Sequence, residues 1–118
     1  EQSSEAIWRF EIDEPFETNL PVEEQIELIY KHAYLAECNV TMARQYGFES
    51  ADELEGVRLS ELFVSEDPKN YEFLRAFVES GYRLTGAESH EKDRQGNDRY
   101  FLNSLIGFVE NGRAVRAW

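Results

Sequence analysis

The stretch from Tyr82 to Trp118 constrains this chain most, because it reads as three β-strands joined by two tight turns. Residues Tyr82 to Arg94 mix apolar, polar and β-branched side chains, and Gln95-Gly96-Asn97 then supplies a glycine able to take positive φ. A second strand over Arg99 to Glu110 carries Tyr100, Phe101, Leu102, Leu105, Ile106, Phe108 and Val109. It stops at Asn111-Gly112, the dipeptide best suited to a type I′ hairpin turn, and a third strand runs from Arg113 to Trp118. An antiparallel sheet must bury one face, so the upstream helices are its expected cover.

Upstream, Ile7 to Ile12 alternates, with Trp8, Phe10 and Ile12 on one side, as a half-buried strand does. Asp13 to Leu20 contains Pro15 and no period, which predicts a connection. Pro21, followed by Glu23 and Glu24, opens a helix to about Ala33 with Val22, Ile26, Ile29 and Ala33 on one face. Tyr34 to Cys38 is short and apolar enough for a strand. Asn39 then caps a short helix with Met42, Ala43 and Tyr46 inward and Gly47 closing it. Ser50 and Glu53 have capping-box spacing for a further turn ending at Gly56. Asp67-Pro68 starts a longer helix carrying Tyr71, Leu74, Phe77 and Val78, ending at Gly81.

At 118 residues, with 42% hydrophobic and 14% aromatic content, the chain suits one packed domain. The net charge of −12 argues against nucleic acid and anionic membrane as direct partners, since both need a cationic footprint. No apolar run approaches the roughly 20 residues of a membrane-spanning helix, and no basic-then-apolar leader is seen, so a soluble module is expected. The single cysteine, Cys38, cannot form an internal disulfide and suits the cytoplasm. No nucleophile motif, phosphate-binding glycine loop or metal-ligand spacing is visible, and the acidic pairs Asp13-Glu14 and Glu23-Glu24 read as a solvated loop and a helix start. The expectation is therefore no enzyme.

The order of these elements, with Tyr34-Leu35-Ala36-Glu37-Cys38-Asn39, Ala43-Arg44-Gln45-Tyr46-Gly47-Phe48 and Ala51-Asp52-Glu53-Leu54-Glu55-Gly56, resembles the PAS sensory domain family. The likeness continues through Asp93-Arg94-Gln95-Gly96-Asn97 and Arg99-Tyr100-Phe101-Leu102-Asn103, and covers roughly Tyr34 to Trp118. The family's closing Asp-Ile-Thr signature is missing. The resemblance implies an α+β fold in which a five-stranded antiparallel sheet of order 2-1-5-4-3 carries helices over one face, enclosing a small-molecule cavity. Residues 1–118 form one domain on this reading, with about 1–33 as an N-terminal strand and helix and 34–118 as the core. It further implies a module of a larger bacterial signalling protein, a histidine kinase or transcription regulator, with an effector domain in the same polypeptide.

Cofactors of the family do not fit. Haem-binding members carry a histidine on the long helix before the sheet, and Glu66 to Ser80 has none. His32 and His90 read as surface or capping residues. Flavin photosensors place a reactive cysteine after the helix-ending glycine, where Gly56-Val57-Arg58-Leu59-Ser60 has Leu59. In the family register Ser89, Glu91, Phe101, Asn103 and Leu105 face the helices. Glu91 either turns outward or pairs internally, or it joins Asn103, Asn39 and Tyr46 as convergent polar groups for a small polar ligand, with Phe77 and Leu105 as apolar wall. The same register turns Arg116 and Trp118 outward and Val115 and Ala117 inward, predicting an apolar outer face covered by a homodimer partner or by the helix Val22 to Ala33.

Two other readings compete. A small α+β-barrel enzyme of the nuclear-transport-factor-like type would bring Asp and His side chains into its barrel, and neither histidine has an obvious acidic partner in the sequence. A ligand-free PAS interaction module would fill the cavity with its own side chains, for which the eight Phe and six Tyr suffice.

Overall fold

The computed structural model describes residues 6–64 and 66–118, apart from the side chains of Leu102 and Asn103. Five strands make one antiparallel sheet: β1 (Trp8–Glu17), β2 (Ala33–Cys38), β3 (Arg83–Lys92), β4 (Asp98–Glu110) and β5 (Arg113–Ala117), in the order β2-β1-β5-β4-β3. Four α-helices, α1 (Val22–His32), α2 (Val40–Gln45), α3 (Leu59–Leu62) and α4 (Pro68–Glu79), accompany them. The fold class is α+β.

The hairpins form where turn chemistry places them. Asn111 and Gly112 both adopt positive φ, 54° and 75°, as a type I′ turn requires. At the other hairpin the Asp93 carboxylate accepts hydrogen bonds from the backbone N–H groups of Gln95 and Asn97 and from Arg99 Nε. Burial opposes charge on Asp93, but those bonds together outweigh it and hold its pKa below the ordinary carboxylate value.

Two expectations need correction and one is refined. β1 does not stop at Ile12 but continues through Pro15 to Glu17. It pairs with β2 over Trp8 to Ile12 and with β5 at Phe10, Glu11, Phe16 and Glu17, and the register shift between Glu11 and Phe16 spans the proline, which has no N–H for a ladder. On α4 the buried positions are Asn70, Phe73, Leu74, Phe77 and Val78, while Tyr71 is exposed. That spacing is i, i+3, i+4, i+7, i+8, a complete helical stripe in which Tyr71 has no place. In β5 the buried residue is Ala114, not Val115, because the register shift between Phe108 and Val109 leaves Val115 opposite no partner.

α3 is an element the sequence reading did not anticipate. Its signal is local: the Arg58 N–H donates to Glu61 Oε2, closing the helix start three residues on.

The apolar core lies between the helices and one sheet face. Leu35, Ala43, Leu54, Leu74 and Ala114 are all at most 1% exposed. Ile26 and Ile29 bring α1 onto this same side, and an Arg75 to Glu23 ion pair at 3.1 Å links it to α4. The expected cover of the opposite sheet face by α1 is thus corrected: its apolar stripe is already used in the core.

Candidate functional site

Between the helices and the inner sheet face lies a cavity of about 60 Å³. The alternation of β1 points Trp8, Phe10 and Ile12 into it, α4 contributes Phe73, Leu74 and Phe77, and Tyr46 and Met42 come from the α2 segment. β3 and β4 supply Glu91, Phe101 and Leu105. Tyr46 and Phe101 pack across it with ring centroids 5.5 Å apart, and Phe77 meets Tyr82 edge-on at 4.8 Å. An engineered cavity of about 150 Å³ accepts the six heavy atoms of benzene, so one of about 60 Å³ accommodates roughly two to three without movement of its walls.

Among the described residues of the lining, Glu91 and Arg116 carry charge. Arg116 turns to the sheet's outer side, where its Nε donates to Glu11 at 2.9 Å and its guanidinium lies 5.2 Å from the Phe108 ring. Glu91 is only 3% exposed, and the fully buried Ser89 donates its hydroxyl proton to Glu91 Oε2 at 2.5 Å. The backbone of Glu91 also bridges to Phe63, tying the strand to the segment after α3.

Of the six residues expected to form the site, the structure brings together Tyr46, Phe77, Glu91 and Leu105. Asn39 is a correction. Its Oδ1 accepts hydrogen bonds from the Met42 and Ile7 N–H groups, so it caps α2 and secures the start of β1, facing an open groove beside Trp118 instead of the cavity. Helix capping and cavity lining demand opposite directions from one short side chain. The side chain of Asn103 lies outside the described residues; its backbone pairs with Ala87. The sequence reading missed Phe63 and Phe73 as wall residues, although the α4 stripe marks Phe73.

Both histidines have acidic partners, contrary to expectation. His32 is buried, with Nδ1 2.9 Å from Asp13 Oδ1, and Arg58 donates to Asp13 Oδ2 at 2.7 Å. The Arg58 guanidinium, and secondarily His32, hold the Asp13 pKa below its ordinary value despite a desolvation cost. Asp13, Glu14 and His32 also place three metal-ligand atoms within 4.8 Å of one another, a cluster that linear spacing concealed. Arg58 already sets positive charge against one Asp13 oxygen and His32 Nδ1 faces the other, so the group reads as an ion-pair network. Neither this group nor His90 lines the cavity. Cys38 is buried, and burial first, then Glu55 and Glu37, push its thiol up to about 11, which leaves it an inert apolar side chain at neutral pH.

No protein-family model matches this chain, and no curated protein matches it. No helix among the described residues is long and apolar enough to cross a membrane.

Proposed function

We propose that the chain is a sensory module of PAS type within a larger signalling protein, in which a small ligand in the cavity alters packing that an effector domain of the same polypeptide reads. The observation that carries this reading is a buried carboxylate, Glu91, lining a mainly aromatic and aliphatic chamber between sheet and helices. The strand order β2-β1-β5-β4-β3 is the one the resemblance implied and supports the same reading. A chamber with one acidic group and aromatic walls favours a ligand with a positive charge or hydrogen-bond donor at one end and an apolar remainder. Its size limits that ligand to a few heavy atoms. Signalling requires that the ligand prefer one of two conformations, because equal affinity for both shifts nothing.

The test is calorimetric titration with methylammonium and ethylammonium, with acetate and ethanol as controls, on wild type and Glu91→Gln. We expect the ammonium ions to bind wild type and to lose at least about tenfold in affinity, or about 1.4 kcal/mol, on Glu91→Gln, which keeps volume and removes charge. Absence of binding by all four probes, with no change in the NMR shifts of cavity residues, would favour the ligand-free interaction module instead. The small cavity volume is the observation that keeps this second reading in play.

A further inference from the structure

On the outer face of β3, one residue before Glu91, His90 sits between two carboxylates. Its Nδ1 lies 2.6 Å from Asp67 Oδ2 and its Nε2 2.7 Å from Asp98 Oδ1. Asp67 is the N-cap of α4, with its Oδ1 accepting the Lys69 N–H, and Asp98 opens β4. The ring stacks on Tyr100 at 4.6 Å and 18°. Behind it, the buried Asn70 accepts the His90 N–H through Oδ1 and donates through Nδ2 to the His90 and Val64 carbonyls. The backbone of His90 is therefore clamped, and the ring cannot swing far from either acid.

A neutral imidazole has one N–H and one lone pair, whereas the imidazolium donates from both nitrogens. With a carboxylate oxygen at hydrogen-bonding distance from each nitrogen, only the protonated ring satisfies both sides. The neutral ring sets a lone pair against a carboxylate. We propose that His90 is a proton-operated clasp: protonated, it ties the first turn of α4 to the β3–β4 hairpin, and on losing its proton it releases one carboxylate and loosens that end of the helix.

The surroundings favour the charged state. Asp98 and then Asp67 raise the His90 pKa above its ordinary value, with burial opposing them. Lys92 on β3 shares Asp98 at 2.8 Å. Lys69 on α4 pairs with Glu88 of β3 at 3.5 Å, and on α1 burial first, then the charges of Asp67 and Glu66, push the Tyr30 hydroxyl up to about 12. Because the folded value is raised, the clasp contributes its full stability below the unfolded histidine value of about 6.5 and loses it as pH climbs through the folded value. The helix so released carries Phe73, Leu74 and Phe77 of the cavity wall. The clasp itself is independent of whether a ligand enters that cavity.

The experiment is an NMR pH titration of the imidazole and backbone signals in wild type, His90→Gln and Asp98→Asn, with the two histidines told apart by the first variant. We expect His90 to titrate above about pH 6.5. The amide shifts of Lys69 and Asn70 should follow the same midpoint, and Asp98→Asn should lower that midpoint while leaving the fold intact. A midpoint at or below the ordinary value, α4 amides that ignore the titration, or an unchanged midpoint in Asp98→Asn would each overturn the proposal. Should His90→Gln fail to fold, wild type and Asp98→Asn decide the matter alone.

Discussion

Tyr82 joins three parts of the molecule at one residue. Its backbone is in the left-handed region at φ 69°, its N–H donates to the Phe77 carbonyl and its own carbonyl accepts from Gly107 N–H. Its hydroxyl donates to Gln25 Oε1 at 2.5 Å, and Gln25 Nε2 in turn donates to the Thr18 and Leu20 carbonyls. The end of α4, the middle of β4 and the first turn of α1 thus share one buried network. Gly107 permits it: a Cβ there would stand 2.7 Å from the Tyr82 Cβ and 3.0 Å from the Phe77 ring. Gly107→Ala should therefore destabilise the fold by about 1–3 kcal/mol, as overpacking does, and Tyr82→Phe by about 1–2 kcal/mol through the Gln25 oxygen left unsatisfied. Urea unfolding followed by tryptophan fluorescence measures both, and losses under about 0.5 kcal/mol would remove Tyr82 from this role. None of this was legible in the sequence. An isolated glycine in a strand signals close approach by something, but the partner sits 25 positions away and meets it only in the folded chain.

At the scale of elements, local chemistry carried most of the information. Asn39 before α2, Asp67-Pro68 before α4, Gly81 after it and Asn111-Gly112 between strands all work through neighbours within a few residues, so the sequence reading located those boundaries closely. It failed where a polar residue took an apolar-looking position. Asn70 is 0% exposed because its amide bonds to the His90 and Val64 backbone, a partnership no periodicity reveals. Asn70→Ala strands the His90 N–H, while the His90 and Val64 carbonyls keep their bonds from the Val64 and Asp67 N–H groups, and should cost about 1–3 kcal/mol. The loss should fall on the α4 to β3 contact, so amide exchange in the first turn of α4 should rise more than in β1 and β2. Uniform acceleration across the protein would contradict that localisation.

Across the whole molecule, the two sheet faces differ in kind. The inner face is covered by α1 and α4, while the outer face leaves Ile106, Phe108 and Trp118 between 40% and 47% exposed. Ile106 and Trp118 exchange both backbone hydrogen bonds at 2.9 Å, and Phe108 meets Trp118 edge-on at 6.1 Å, so the three form one continuous band. Apolar bands of this kind mark contact surfaces, and this one is where the homodimer contact expected from the sequence would form. Sedimentation equilibrium should show a dimer that Ile106→Glu weakens at least about tenfold, with the circular dichroism spectrum unchanged. A monomer at every concentration tried would leave the band without that partner.

Alternation along the strands, turn dipeptides and capping residues marked most of the strands and helices from the sequence alone, since each depends on neighbours a few positions apart. That β1 runs on through Pro15, that α1 packs on the inner face, that Asn39 also secures Ile7 and faces away from the cavity, and that both histidines gain acids are decided by tertiary structure. Each requires groups between 19 and 32 positions apart, or on separate elements, to meet at hydrogen-bonding distance, as His32 meets Asp13, His90 meets Asp67 and Ile7 meets Asn39. A sequence records which groups are able to pair; only the packing of the elements selects the partner.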